Sequence, residues 1–199
     1  MATSNKKKAG LTGVALATAI GLVSTWEGRE QTAIKTPDGT MYQAYQDIVG
    51  VWTACDGVTK GIKAGDRFTA AQCDASLAVE LQRANSYIDR CIVTTLSSKE
   101  RGAYVSAGYN LGPAVMCGWS EAQYVANGSK LQNCRSYELD GVRRCASELQ
   151  FKLNSGDRVG ACNALLSWNK AGGKVVQGLV NRRRDEVKVC LEGAASWRG

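Results

Sequence analysis

No histidine occurs anywhere in the 199 residues. Ser-His-Asp and Cys-His nucleophilic catalysis are thereby excluded, with every zinc site that uses imidazole. Acid–base work is left to carboxylate, Lys, Tyr and Cys side chains. Close cysteine pairs are missing too. Cys55, Cys73, Cys91, Cys117, Cys134, Cys145, Cys162 and Cys190 are spread over the chain without a C-x-x-C. Zinc and redox motifs want such pairs, so no metal or other cofactor is expected. Residues 26–199 hold no low-complexity linker and no internal repeat. A strongly apolar run is also lacking. The one long uncharged stretch, Ala9 to Thr25, has only Leu11, Val14, Leu16, Ile20, Leu22 and Val23 as strongly apolar members, and the rest are Gly, Ala, Ser or Thr.

What is present bounds the class. The length suffices for one or two compact domains with a core, and 44% apolar with 22% charged residues is an ordinary globular balance. An even number of widely spaced cysteines fits disulfides formed in an oxidising compartment such as a bacterial periplasm, although the sequence selects no pairing. The net charge is +7, of which Lys6, Lys7 and Lys8 supply three. Such a surplus suits an anionic partner (nucleic acid, a membrane surface or an acidic cell-wall polymer) or simply a solvated basic surface.

The N-terminus reads as a basic head, Met1 to Lys8, followed by the 17 uncharged residues from Ala9 to Thr25. That length is at the short end of what spans a bilayer, and the many small residues make insertion marginal. The lysines should stay cytoplasmic and send everything after them outward. Ala17-Thr18-Ala19 has the small-residue spacing of a signal-peptide cleavage site, which is the ordinary alternative. A permanent transmembrane anchor is the third reading. Residues 1–25 are therefore expected to be a signal-anchor segment and 26–199 the folded domain.

Within that domain, Trp26 to about Thr32 reads as a short helix. Pro37-Asp38-Gly39-Thr40 is a turn signal, flanked by strand-like runs at Met41 to Tyr45 and Ile48 to Cys55, with Asp56-Gly57 as the next turn. Thr69 to Gln72 is a capping box that opens a long helix, with Cys73, Leu77, Leu81, Ala84 and Ile88 on one stripe. Ser97 to Glu100 is a second capping box, opening a helix that runs toward Asn110 and breaks at Gly112-Pro113. Further helices are expected at about 119–126, 146–153, 157–168 and 178–191. The class is α+β, mostly α. A strand-containing lobe (about 26–70) is joined by a helix (about 70–90) to a larger helical lobe (about 91–199).

Glu27 lies two residues beyond the uncharged run. Glycoside hydrolysis needs two carboxyl groups in unlike environments, one protonated and one ionised. Glu27 beside Trp26 and the apolar segment, and Asp47 in a polar turn, meet that requirement. Thr53, on the following strand, has a hydroxyl that can hold water. Among 18 acidic residues this spacing alone is as well explained by a helix start and a turn.

Longer stretches add a resemblance. Trp26-Glu27-Gly28, with Ala44-Tyr45-Gln46-Asp47-Ile48-Val49-Gly50-Val51-Trp52-Thr53-Ala54-Cys55-Asp56-Gly57, resembles the active-site signature of the phage-type lysozymes, or endolysins. Tyr109-Asn110-Leu111-Gly112, Leu153-Asn154-Ser155-Gly156-Asp157, Trp168-Asn169 with Gly172-Gly173, and Gly178-Leu179-Val180-Asn181-Arg182-Arg183-Arg184-Asp185-Glu186 follow in the family's order. The resemblance implies a lysozyme-like two-lobed fold and a muramidase that hydrolyses the β-1,4 bond between N-acetylmuramic acid and N-acetylglucosamine in peptidoglycan. It makes Glu27 the general acid, Asp47 the water-positioning base or charge stabiliser and Thr53 the water holder. An inverting enzyme would hold the two carboxyls roughly 6.5–9.5 Å apart. Asn110, Arg182 and Arg183 become candidate substrate contacts, the arginines facing the anionic peptide stems. Three consecutive helix positions cannot all face one groove, so at least one of Arg182, Arg183 and Arg184 should only be solvated. Trp119 and Trp168 are candidates for stacking on sugars, with burial the better reading for Trp168.

The resemblance further implies a monomer with no nucleic-acid partner, of the signal-arrest-release kind: tethered to the inner membrane, facing the periplasm, then released. The competing readings are a lytic transglycosylase and a non-enzymatic periplasmic glycan-binding protein. One departure stands out. Relatives place the Asp about nine residues after the Glu, and here the gap is twenty, with the extra residues around Thr36 to Thr40 and Glu30 as the runner-up acid. Residues 9–25 contain no cysteine, so the anchor cannot cage Cys55.

Overall fold

The computed structural model describes residues 11, 13–47 and 50–197. Lys6 to Lys8, and Ile48 and Val49 of the expected strand, lie outside the described residues, as does the side chain of Glu30.

The first helix, α1 (Gly13–Trp26), covers most of the uncharged stretch. Leu11, Ala15, Ala19 and Val23 recur every four residues on one stripe and are buried in the main core with Leu77, Leu81 and Tyr104. At 14 residues it is about 21 Å long. No helix among the described residues is long and apolar enough to cross a membrane. The expected short helix from Trp26 to Thr32 is instead the end of α1 followed by a 3-10 turn, Arg29–Thr32.

The strand lobe follows. β1 (Ala33–Thr36) and β2 (Gly39–Gln43) form a hairpin over the Pro37-Asp38 turn. β3 (Tyr45–Gln46) and β4 (Trp52–Thr53) pair as a separate short ribbon. β5 (Arg67–Thr69) completes an antiparallel sheet of order β1-β2-β5. β4 ends because Cys55 adopts a left-handed backbone, φ 55°, which turns the chain out of the strand direction.

The bridging helix α2 (Ala70–Cys91) opens on the expected capping box, with both reciprocal bonds between Thr69 and Gln72. Its stripe of Cys73, Leu77, Leu81, Ala84 and Ile88 is buried as the 3.6-residue period requires. α3 (Ser98–Leu111) opens on the Ser97–Glu100 box and runs through the centre of the helical lobe. Glu100 can be buried there because Arg158 Nη1 approaches its carboxylate at 2.6 Å. α4 (Ala114–Cys117) leads into β6 (Trp119–Ser120), α5 (Glu121–Ala126) and the hairpin β7 (Ser136–Leu139) and β8 (Val142–Cys145), in sheet order β6-β8-β7. α6 (Glu148–Asn154), α7 (Arg158–Ala164), the ribbon β9 (Lys170–Ala171) and β10 (Lys174–Val175), and α8 (Gln177–Ser196) complete the lobe. The architecture is α+β, mostly α, in two lobes.

All eight cysteines are paired: Cys55–Cys73, Cys91–Cys117, Cys134–Cys145 and Cys162–Cys190. Each bridge ties neighbouring segments, the turn after β4 to α2 and α7 to α8 among them.

Two contacts seat α1. Gln82 of α2 accepts from the Leu11 N–H at 3.1 Å and donates back to the Leu11 carbonyl at 2.7 Å. On α3, Gly102 leaves room for α1 to come close. A Cβ built there would lie 2.6 Å from Thr18 Cβ and 2.9 Å from the Ala15 carbonyl oxygen, so only glycine fits.

Candidate active site

Glu27 stands where the lobes meet. Its N–H donates to the Val23 carbonyl at 3.0 Å, extending the α1 hydrogen-bond ladder one residue past the helix. The position of α1 therefore sets the position of the carboxylate. Oε1 accepts from Arg182 Nη1 at 2.7 Å. Oε2 is turned toward Gly57, where a Cβ would be 3.7 Å away. Glu27 is 24% exposed at its side chain, enough to meet a ligand. It lines a cleft of about 600 Å³ with Gly57, Glu80, Arg83, Tyr109 and Asn110.

Behind Glu27 lies a buried charge cluster built by one turn of α8. Arg182 and Arg183 precede Glu186 by four and three residues, the spacing at which helix side chains meet. Ser106 of α3 donates to Glu186 Oε1 at 2.8 Å. Burial pushes the Glu186 carboxyl above its ordinary range, against the pull of the two guanidiniums. Burial also brings Arg183 down to about 10, partly offset by Glu186. Arg183 Nη2 donates to Asn110 Oδ1 at 2.8 Å, so the cleft-lining amide is oriented from beneath.

The expected contact of Arg182 and Arg183 with peptide stems needs correction on this geometry. Arg183 is 0% exposed and Arg182 is 4% exposed. Their charges are committed to Glu186 and Glu27, and both act from inside the protein. Arg184 alone of the three is exposed, as three consecutive helix positions require. Asn110 does reach the cleft.

On the strand side, Asp47 accepts from the Val51 N–H through Oδ1 at 2.9 Å, and its own N–H donates to the Val51 carbonyl at 3.0 Å. This small turn carries Thr53 back opposite Tyr45 in the β3–β4 register. Thr53 is buried and donates to the Val51 carbonyl at 3.1 Å, leaving its oxygen able to accept. Tyr45 joins this group to Glu27: burial, then the charges of Glu27, Asp47 and Asp56, raise its hydroxyl above the ordinary tyrosine value. Asp38, nine residues before Asp47, sits exposed in the β1–β2 turn. Glu30 follows Arg29 in the 3-10 turn, and its side chain is outside the described residues.

Sequence reasoning passed over three structural partners. Arg29 Nε lies 3.0 and 2.9 Å from the two carboxylate oxygens of fully buried Asp56, and Nη1 reaches Asp74 at 2.6 Å. Tyr109 hydrogen-bonds the Asp56 carbonyl. Glu186 had a readable signal in its spacing from the paired arginines. Cys55 is held in a disulfide with Cys73. Trp119 and Trp168 stack on each other, centroids 5.3 Å apart.

A strand lobe, a bridging helix, a helical lobe and a carboxylate cleft at their junction make up the architecture of a lysozyme-like glycoside hydrolase. The chain belongs to the phage lysozyme family: the family model described as phage lysozyme matches residues 35–140 and 120–186. Curated relatives include the SAR-endolysin of Enterobacteria phage P21, 36% identical over 157 residues and covering 78% of each chain. That of Pseudomonas phage phiKMV is 33% identical over 192 residues, covering 94% of each. Among solved structures, an endolysin from Escherichia coli O157:H7 phage FAHEc1 shares the fold at TM-score 0.64 and 22% identity, covering 98% of this chain and 99% of that one. The active form of P1 phage endolysin Lyz does so at TM-score 0.63 and 21% identity, covering 96% and 99%. The family-model match begins at residue 35, beyond Glu27, so the assignment of Glu27 rests on its surroundings.

Proposed function

We propose that this enzyme is a muramidase that acts as a monomer on peptidoglycan, cleaving the β-1,4 bond between N-acetylmuramic acid and N-acetylglucosamine. Glu27 donates a proton to the glycosidic oxygen as the bond to the anomeric carbon breaks. Asp47 takes a proton from the attacking water, and Thr53 holds that water. Asn110 contacts the glycan, with Arg183 orienting its amide. The observation that carries this reading is the presentation of Glu27: Arg182 holds one carboxylate oxygen, and the other faces the cleft. Glu27→Gln should lower the release of reducing ends from purified peptidoglycan by ~10^2 to 10^4-fold. Retained activity would remove Glu27 from the mechanism, and 1,6-anhydro ends in the products of the unaltered enzyme would make it a transglycosylase.

The same reading includes an anchor stage. Residues 1–25 would first lie at the inner membrane facing the periplasm, and α1 would then leave it to pack on α3. The names of the SAR-endolysin relatives and the weak apolarity of the segment support this order. Attached directly to α1, Glu27 stays away from Arg182 until α1 docks. Cleavage after Ala19 fits the structure poorly, because it would strip Leu11, Ala15 and Ala19 from the core. N-terminal sequencing of the soluble periplasmic form should find the chain starting before Leu11; a start near Ile20 would mean simple secretion.

A further inference from the structure

One hydroxyl from the helical lobe crosses the cleft to the turn that flanks Glu27. Tyr109, near the end of α3, donates to the backbone carbonyl of Asp56. That turn is firmly held on its own side. Ala54 and Val58 exchange backbone hydrogen bonds of 2.9 and 3.0 Å around it, Arg29 grips the Asp56 carboxylate, and Cys55 is bonded to Cys73 of α2. It is thus a braced unit, and the Tyr109 hydroxyl is its tie to α3. Gly57, the next residue, is where the two lobes touch the acid. A Cβ there would lie 3.4 Å from Tyr109 Oη and 3.7 Å from Glu27 Oε2, so the phenol and the free carboxylate oxygen flank one backbone position. Burial, with the charges of Glu27 and Asp56, raises the Tyr109 hydroxyl far above its ordinary value, so it remains a protonated donor at any working pH.

We propose that Tyr109 is a positioning residue whose hydroxyl, by holding the Asp56 carbonyl, sets the distance between the Asp56–Gly57 turn and Glu27 and so the opening of the cleft over the acid. The inference rests on Glu27 being the acid. A phenol suits the role because its ring is anchored on a packed helix while its tip is a rigid donor with only two side-chain torsions behind it. Misplacing the turn by a fraction of an ångström changes how well the reacting bond meets the acid, while the extended glycan still binds along the cleft. The loss should therefore fall on turnover and leave binding nearly unchanged.

The test is Tyr109→Phe in the full, disulfide-bonded chain, which keeps the ring and removes the donor. On soluble peptidoglycan fragments kcat should fall about tenfold while KM stays within about twofold. Amide exchange should quicken at Gly57 and Val58 and stay slow in the middle of α3. Gly57→Ala puts its methyl in ordinary contact with Tyr109 Oη and Glu27 Oε2 but strains the backbone at φ 91°, so it should displace this turn directly and give the same split between kcat and KM, which keeps the test open if the phenylalanine variant folds poorly. Unchanged kcat in both variants overturns the proposal. A raised KM with full kcat also overturns it, because the hydroxyl would then be a sugar contact. Glu27→Gln run in parallel separates the layers. An active glutamine variant removes the acid assignment itself, whereas an inactive one beside a fully active Tyr109→Phe removes only the role of Tyr109.

Discussion

Arg182 links Glu27, the proposed acid, to the interior. It serves Glu27 on one side and Glu186 on the other, at 4% exposure. Replacing it by glutamine leaves Glu27 without its cation and Glu186 with only Arg183. Because breaking a mostly buried pair strands a charge, Arg182→Gln should cost about 1–3 kcal/mol in urea unfolding and lower kcat at least severalfold. Thr53→Ala should lower kcat and cost about 1 kcal/mol of stability, because Thr53 is buried and hydrogen-bonded, and Thr53→Ser should restore kcat, since only the hydroxyl is asked to hold water. Full activity in the alanine variant would dismiss that role. How far such residues can be read from sequence depends on what their chemistry leaves visible. Glu27, Asp47 and Thr53 are ordinary in composition and stand out only through the resemblance. Anionic peptide stems make an outward contact the natural reading for Arg182 and Arg183, yet both are buried. Direction on a helix is visible only through partners, here the Glu three and four residues on.

At the scale of elements, caps and stripes were the most legible features. Thr69–Gln72 and Ser97–Glu100 open helices as read, because each box satisfies its own backbone donors regardless of tertiary context. The β7–β8 hairpin was not foreseen, yet Asp140-Gly141 at its tip, with φ 51° and 73°, is the two-residue turn that such hairpins favour. Packing of α1 against α3 was illegible for a physical reason: small apolar residues suit a lipid-facing segment and a close helix contact equally. Gly102 records that contact. Gly102→Ala should destabilise the protein by about 1–3 kcal/mol through overpacking against Thr18 and the Ala15 carbonyl. Adding Thr18→Gly should recover part of the loss. No recovery in thermal melts would mean that the clash is relieved elsewhere.

The molecule as a whole is stapled by four disulfides. The bridges close loops with sequence separations of 18, 26, 11 and 28 residues. On the chain-entropy account each restrains the unfolded chain by roughly 3 kcal/mol, so reduction of all four should unfold the protein at 37 °C. A surviving cooperative melt in excess reductant would show the core to be sufficient alone. Toward low pH, three carboxyls matter first. Asp157 is held below its ordinary value chiefly by the Gly160 N–H, Glu148 by Arg135 and Glu192 by Lys99. Depressed folded values mean that the stability they contribute is complete above about pH 4.5 and drains away as pH falls through the folded values. Because these carboxyls are exposed and solvent screens their pairs, melting temperature should fall only modestly as pH drops below about 4, and Asp157→Asn should flatten part of that fall.

The stripe of Leu11, Ala15, Ala19 and Val23 carries one more consequence. On the proposed route these side chains meet two solvents in turn, lipid first and then the protein interior. Lipid would reward larger apolar groups at positions 15 and 19, but both alanines are buried in the close-packed core, where larger side chains would overpack. The faint hydrophobicity of the segment is then the compromise between two selections on the same atoms. Raising it by substitution on this stripe would improve membrane residence only by spoiling the fit that assembles the enzyme.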